Sequence, residues 1–394
     1  MVSSSSRSQS EAQAPLTRAG RVAGFAWLAL SGGVLVDGAI WCGQAIAGEL
    51  RGLDFLSFYA TSKLVLSRGP AAMYDLGAQQ AIQSRLAAAW GGQPFLPDLY
   101  PPFFVVARAW LALLPVQGAY AVWLALHVAV LVAALLLLTA AAGLSGRRRA
   151  AALLAGAGFV PAVVDLWQGQ QTAFVLLAIA GGTYLGRTRI RASAGAALAG
   201  TLIEPHLALL NLLLPLSRPA RREALGLVGV ALLLAAISLA LVGQGGAVHY
   251  LQVLPGYAGS AGATMSRYAL GLRGLLAAGG LSDRAQYGVL GAGLLTALLL
   301  IRLIPGPGRR DVAAATTASL LLAPHLNVHG LELLVAPGIL LAGELWRRPD
   351  TAGWLVLGIA MAGATLGAYL PLAAVAGELV LLGYLLLGWR TQSV

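Results

Sequence analysis

Residues 119–149 read AYAVWLALHVAVLVAALLLLTAAAGLSGRRR. From Ala119 to Gly143 the run holds no charged side chain. It exceeds the roughly 20 residues that a helix needs to cross a hydrocarbon core. It then meets Arg147, Arg148 and Arg149. Cations gathered at one end of an apolar run mark the cytoplasmic side of a membrane span.

Working outward, further apolar runs lie near 22–47, 150–165, 171–186, 224–242, 286–304, 312–323, 330–345, 352–369 and 372–389. Basic packets follow several of them: Arg187/Arg189/Arg191, Arg218/Arg221/Arg222, Arg302/Arg309/Arg310, Arg347/Arg348 and Arg390. Composition agrees with this reading. Hydrophobic residues make up 58% of the chain and charged residues 10%, against about 45–50% and about 25% in soluble domains. Mean hydropathy is +0.77. The expected fold class is all-α, a polytopic transmembrane helical bundle of about ten spans.

Two stretches do not fit simple spans. Segments 192–203 and 205–216, divided by Glu204-Pro205-His206, are each too short to cross and read as a re-entrant hairpin. The apolar piece from Tyr100-Pro101-Pro102 to Pro115 is about 13 residues, a length that suits an interfacial helix. The small-x-small triplet Ala45-Ile46-Ala47 resembles a signal-peptidase site. The preceding run is long for a signal peptide and carries Asp37, so it reads as a retained span.

With residues 1–21 a polar cytosolic tail, residues 22–394 form one membrane domain. Both termini are then cytoplasmic, with 18 of the 26 Lys and Arg on that side. The other eight are Arg51, Lys63, Arg68, Arg85, Arg108, Arg267, Arg273 and Arg284. All fall in two external loops, about 48–118 and 243–285. They read either as ordinary solvated charge or as one basic cavity for an anion near the outer leaflet, since the Arg fork suits phosphate.

The net charge of +11 comes in small packets, not on one face with interleaved aromatics, which excludes a nucleic-acid partner. The lone Cys42 supports neither a disulfide framework nor a Cys metal site. No phosphate loop or nucleophile elbow occurs, so neither a soluble nucleotide cofactor nor any other cofactor is expected.

Asp54, in Gly52-Leu53-Asp54-Phe55-Leu56-Ser57-Phe58-Tyr59, is one acid among apolar neighbours at a membrane exit. Partial desolvation would raise its basicity into a catalytic range. An acid before an apolar run also caps helices, so both readings stand. His325 and His329, four apart after Pro324, read as loop structure or as contacts to an anion or hydroxyl. A metal would need a third ligand, and none is expected. His206, beside Glu204, is similarly open. Asp37, Asp165, Glu332 and Glu378 lie in or near apolar runs, where acids face a cavity or a partner.

These segments carry a resemblance. Asp54 to Tyr59, Lys63 to Gly69, Tyr74-Asp75, Tyr100 to Phe103, Gly169-Gln170, Pro205 and Pro324 to His329 stand in the order seen in glycosyltransferase family 87. These are polytopic enzymes of the GT-C type. The resemblance implies inverting transfer of a sugar, mannose or similar, from a polyprenyl-phosphate donor to a lipid or glycan acceptor. The reaction would occur at the extracytoplasmic face of a bacterial-type inner membrane. It implies Asp54 as the catalytic base and Lys63, Arg267, His325, His329, Tyr100 and Gln170 as donor contacts. Tyr59, Asp75 and Asp165 would be acceptor contacts. Two positions depart from the pattern. Glu204-Pro205 replaces the usual Lys-Pro, and the 324–330 segment lacks an acid that many members carry. A secondary transporter using the intramembrane acids and a lipid flippase or assembly scaffold are the rival readings.

Overall fold

The computed structural model describes residues 18–49, 53–88, 94–187, 190–217, 220–266, 269–303, 308–348, 350–367 and 369–387; for 18–28 and 255–266 it describes the backbone only. Among the described residues the secondary structure is helical, with no strand.

The helices are α1 (Arg18–Ile46), α2 (Phe55–Arg68), α3 (Leu76–Ala87), α4 (Pro102–Arg108), α5 (Val116–Ala142) and α6 (Gly146–Ala157). Next come α7 (Val160–Gln168), α8 (Thr172–Leu185), α9 (Arg191–Leu198), α10 (Leu209–Ser217), α11 (Arg221–Ser266) and α12 (Leu272–Ala278). The chain ends with α13 (Asp283–Arg302), α14 (Arg309–Leu321), α15 (Val335–Leu345), α16 (Thr351–Leu366) and α17 (Pro371–Leu387).

The apolar run that meets Arg147–Arg149 lies in α5. It packs against α8 and α15 through the main core, with Leu131, Leu135 and Leu138 buried against residues such as Leu176 and Ile179. Four helices among the described residues are long and apolar enough to cross a membrane: α1, α5, α11 and α13. A fifth crossing arises if α6 and α7, bent by 52°, act as one. The other apolar helices, including α8, α16 and α17, are shorter. Leu225, Leu232 and Leu251 of α11 are strongly exposed, as a lipid-facing helix requires.

Two expectations change. Residues 243–285 are not a plain loop: the chain kinks at Gly243, whose φ of 66° and ψ of 176° are not helical, and a second helical stretch then runs on to Ser266 within the α11 range. The run 150–165 is not one helix but the end of α6 and most of α7. The break falls at Gly158, where a Cβ would stand 2.4 Å from the Ser31 carbonyl oxygen of α1. Pro161 then starts the next helix, where its missing N–H is harmless.

Three broken segments form the site's walls. Residues 102–113 form α4 and a 3-10 turn. Residues 191–217 form α9, two 3-10 turns meeting at Glu204, and α10. Their junction leaves the Glu204 backbone outside helical geometry, at φ −135° and ψ 70°. The third, Pro324–Val328, precedes a 3-10 turn (His329–Leu334). It is tied to the second external region by Leu270 N–H donating to the Leu326 carbonyl at 2.9 Å and Arg273 donating to the Pro324 carbonyl at 2.8 Å.

Candidate active site

Asp54 occupies the N-cap position of α2, but its side chain makes no cap bond. Its carboxylate instead accepts a hydrogen bond from the Gln170 side-chain amide. The residue is only partly accessible. Burial lifts its pKa to about 6; the Gln170 bond opposes that rise and the negative charge of Asp165 adds to it.

Gln170 reaches Asp54 because of the residue before it. Gly169 sits in the left-handed region at φ 68°, a conformation costly for a residue with a Cβ. A Cβ there would also stand 2.9 Å from the Phe55 Cβ. Trp123 of α5 donates its indole N–H to the Gly169 carbonyl at 2.8 Å, and Tyr120 donates to the Trp167 carbonyl at 2.8 Å. The turn between α7 and α8 is thus pinned to α5 and pressed against the start of α2.

Behind this turn lies a buried polar layer. Tyr100 places its hydroxyl 2.6 Å from Glu204 Oε1 and 3.3 Å from Gln170 Oε1. Thr172 donates to Glu204 Oε2 at 3.5 Å. Asp165 is wholly buried; it accepts from Thr172 N–H at 3.3 Å and faces His127 Nε2 at 2.7 Å. His206 and His325 lie with ring centroids 6.5 Å apart and planes tilted by 44°, and Asn327 lies 3.2 Å from His325 Nε2. Burial pushes His325 below the ordinary histidine range and His329 down to about 4. Both rings are neutral at pH 7, able to donate one hydrogen bond and accept another.

A family model for glycosyltransferase family 87 matches residues 99–337, more than half of the chain. The chain belongs to that family. It is therefore a glycosyltransferase, with a sugar donor and an acceptor as substrates. No curated protein and no solved structure gives a significant match. The matched range of this family 87 enzyme holds Tyr100, Gln170, Glu204, His325 and His329, while Asp54 lies ahead of it.

The other candidate residues of the glycosyltransferase have different surroundings. Lys63 and Arg85 line an open cavity of about 510 Å³ with Leu66, Ser67, Ile82, Leu86 and Ala112. The Lys63 ammonium lies 5.3 Å from the Tyr59 ring centroid, so the side chain leans back along α2 toward the Asp54 end. Tyr59 is buried and its hydroxyl donates to the Leu114 carbonyl at 2.7 Å. Asp75 is exposed, caps α3 through Ala78 N–H at 3.0 Å and pairs with Arg68 at 3.7 Å. Arg267 lies outside the described residues.

Among the described residues, two of the eight cations in the 48–118 and 243–285 segments are buried against protein partners. Arg108 is 3% exposed, paired with the buried Asp98 and set against the rings of Phe58, Tyr100 and Phe104. Arg273 is also 3% exposed, bonded to Gln286 at 3.2 Å as well as to Pro324. A buried charge needs a partner, and both have taken one from the protein.

Sequence reasoning passed over Asp98. Its signal was an acid two residues before Tyr100 with an Arg ten residues on. Arg108 donates to the Asp98 carboxylate, which also accepts from Tyr100 N–H at 3.5 Å, while Gln79 accepts from Asp98 N–H at 2.9 Å and Tyr74 donates to the Tyr100 carbonyl at 2.8 Å. This layer locks the segment that carries Tyr100.

Proposed function

We propose that this glycosyltransferase moves a sugar from a polyprenyl-phosphate donor to an acceptor hydroxyl with inversion, using Asp54 as general base. The observation that carries the reading is the state of that carboxylate. It sits at a cap position without capping, is held by one side-chain amide, remains partly accessible and has its pKa lifted to about 6. A base near neutrality is matched to taking a proton from a hydroxyl.

In the step proposed, the acceptor oxygen attacks the anomeric carbon while its proton passes to Asp54. The bond from that carbon to the phosphate oxygen breaks, and the polyprenyl phosphate leaves with the electron pair. One displacement inverts the centre. Neutral His325 and His329 are suited to donating to the departing phosphate, and Lys63 to capturing the anionic donor. The Lys63–Arg85 cavity combines two cations with an apolar floor, the chemistry that a phosphate on a hydrocarbon chain requires. The acceptor is a lipid or glycan hydroxyl, and mannose or a similar sugar is the group moved. In this reading Asp54 faces the exterior of an inner membrane and both termini are cytoplasmic. The shorter apolar helices complete a GT-C bundle of about ten spans.

The test is Asp54→Asn in purified protein supplied with a panel of polyprenyl-phosphate sugars. Donor binding should persist while kcat falls by about 10²–10⁴-fold, the usual worth of a general base. Full turnover by the variant would remove Asp54 from the mechanism.

A further inference from the structure

We infer that Glu204 is a positioning residue for Asp54, acting through Tyr100 and Gln170. This rests on Asp54 being the base.

The chain of contacts is continuous. Glu204 Oε1 lies 2.6 Å from the Tyr100 hydroxyl, that hydroxyl lies 3.3 Å from Gln170 Oε1, and the other end of the same amide donates to Asp54 Oδ2. A primary amide has two ends of opposite character, an acceptor oxygen and a donor nitrogen. Only one orientation of Gln170 offers N–H to Asp54; the flipped one would set its oxygen against the carboxylate. The Asp54 carboxylate favours the N–H, and Tyr100 adds to that choice when its single proton is directed at Oε1 and holds the oxygen on its side.

Glu204 decides in turn what Tyr100 can do. The phenol carries one proton and faces two acceptor atoms, Gln170 Oε1 and Glu204 Oε1. A partner that donates to the phenol oxygen frees the phenol proton for Gln170. A partner that only accepts competes for it: Glu204 supports the Gln170 bond as the protonated acid, whereas its carboxylate form takes the phenol proton across the 2.6 Å contact. Glu204 is 4% exposed and has no ion pair among the described residues; its second oxygen meets only the Thr172 hydroxyl, at 3.5 Å. Its contacts therefore run toward the base and not toward solvent. The break between the two 3-10 turns (Ala199–Ile203 and Pro205–Leu207) places it there.

The consequence is a fixed carboxylate. With Oδ2 held by Gln170, the other oxygen of Asp54 is left to receive the acceptor proton. Loss of the chain should slow proton transfer without weakening donor binding.

Steady-state kinetics on the full-length protein in detergent or vesicles would test this. Tyr100→Phe and Glu204→Leu should each lower kcat about 10–50-fold, with donor KM changed less than about threefold. The double variant should be no worse than about twofold below the slower single, because both cut one chain. Glu204→Gln offers the phenol both an N–H donor and an acceptor, and should recover most of the loss seen with leucine. Multiplying losses in the double variant, a change mainly in KM, or an unchanged kcat in Tyr100→Phe would overturn the inference. If Glu204→Leu does not fold, Tyr100→Phe and Glu204→Gln decide alone. Turnover retained by Asp54→Asn would instead sink the reading beneath it, so the two failures are distinct.

Discussion

Gly169 passes so close to Phe55 that a Cβ at position 169 would stand 2.9 Å from the Phe55 Cβ. That approach brings the α7–α8 turn against the start of α2 and lets Gln170 reach Asp54.

Gly169→Ala should therefore damage activity more than assembly. A left-handed backbone at φ 68° costs about 1–2 kcal/mol for a residue with a Cβ, and the new methyl pushes Gln170 off Asp54. A fall in kcat of tenfold or more with a modest loss of thermal stability is expected. A comparison of turnover with the unfolding midpoint in detergent checks it.

The pH dependence of turnover follows from Asp54. Its pKa stands at about 6, and only the ionised carboxylate can accept the acceptor proton. Activity should rise with pH through about 6. The same shift has a stability sign. The folded protein holds this proton to higher pH than the unfolded chain does, so the contribution is present at low pH and declines as pH rises toward 6. A kcat profile from pH 4.5 to 8 tests the first statement, and its limb should vanish in Asp54→Asn.

Arg108 and Asp98 form a buried ion pair beneath Phe58, Tyr100 and Phe104. Removing one partner leaves the other charge buried, which typically costs about 3–5 kcal/mol. Asp98→Ala should therefore unfold markedly more easily, whereas Asp98→Ala with Arg108→Met should recover part of the loss. Thermal unfolding of the three proteins in one detergent makes the comparison.

Lys63 and Arg85 face an open cavity and should act on donor capture. Lys63→Ala and Arg85→Ala should each raise donor KM by about 3–10-fold with little change in kcat, and the effect should shrink as salt screens the charges. Assays at 50 and 500 mM salt would show it. A loss confined to kcat would place both residues elsewhere in the mechanism.

The sequence by itself determined the membrane class, the helical fold and the placing of an acid before α2, because these follow from composition, run length and local spacing. Hydropathy counts residues along the chain, so it also found α5 and the broken pieces around Glu204. It could not see where runs bend: Gly158 breaks one because α1 leaves no room for a side chain, and Gly243 kinks another, after which helix resumes. Tertiary structure alone decided what each polar side chain meets. Arg108 read as a loop cation until Asp98 and three rings enclosed it, and Tyr100 meets Glu204, 104 positions away. Hydrogen bonds and ion pairs act over a few ångströms and are indifferent to sequence separation, so only the folded chain says which groups they join.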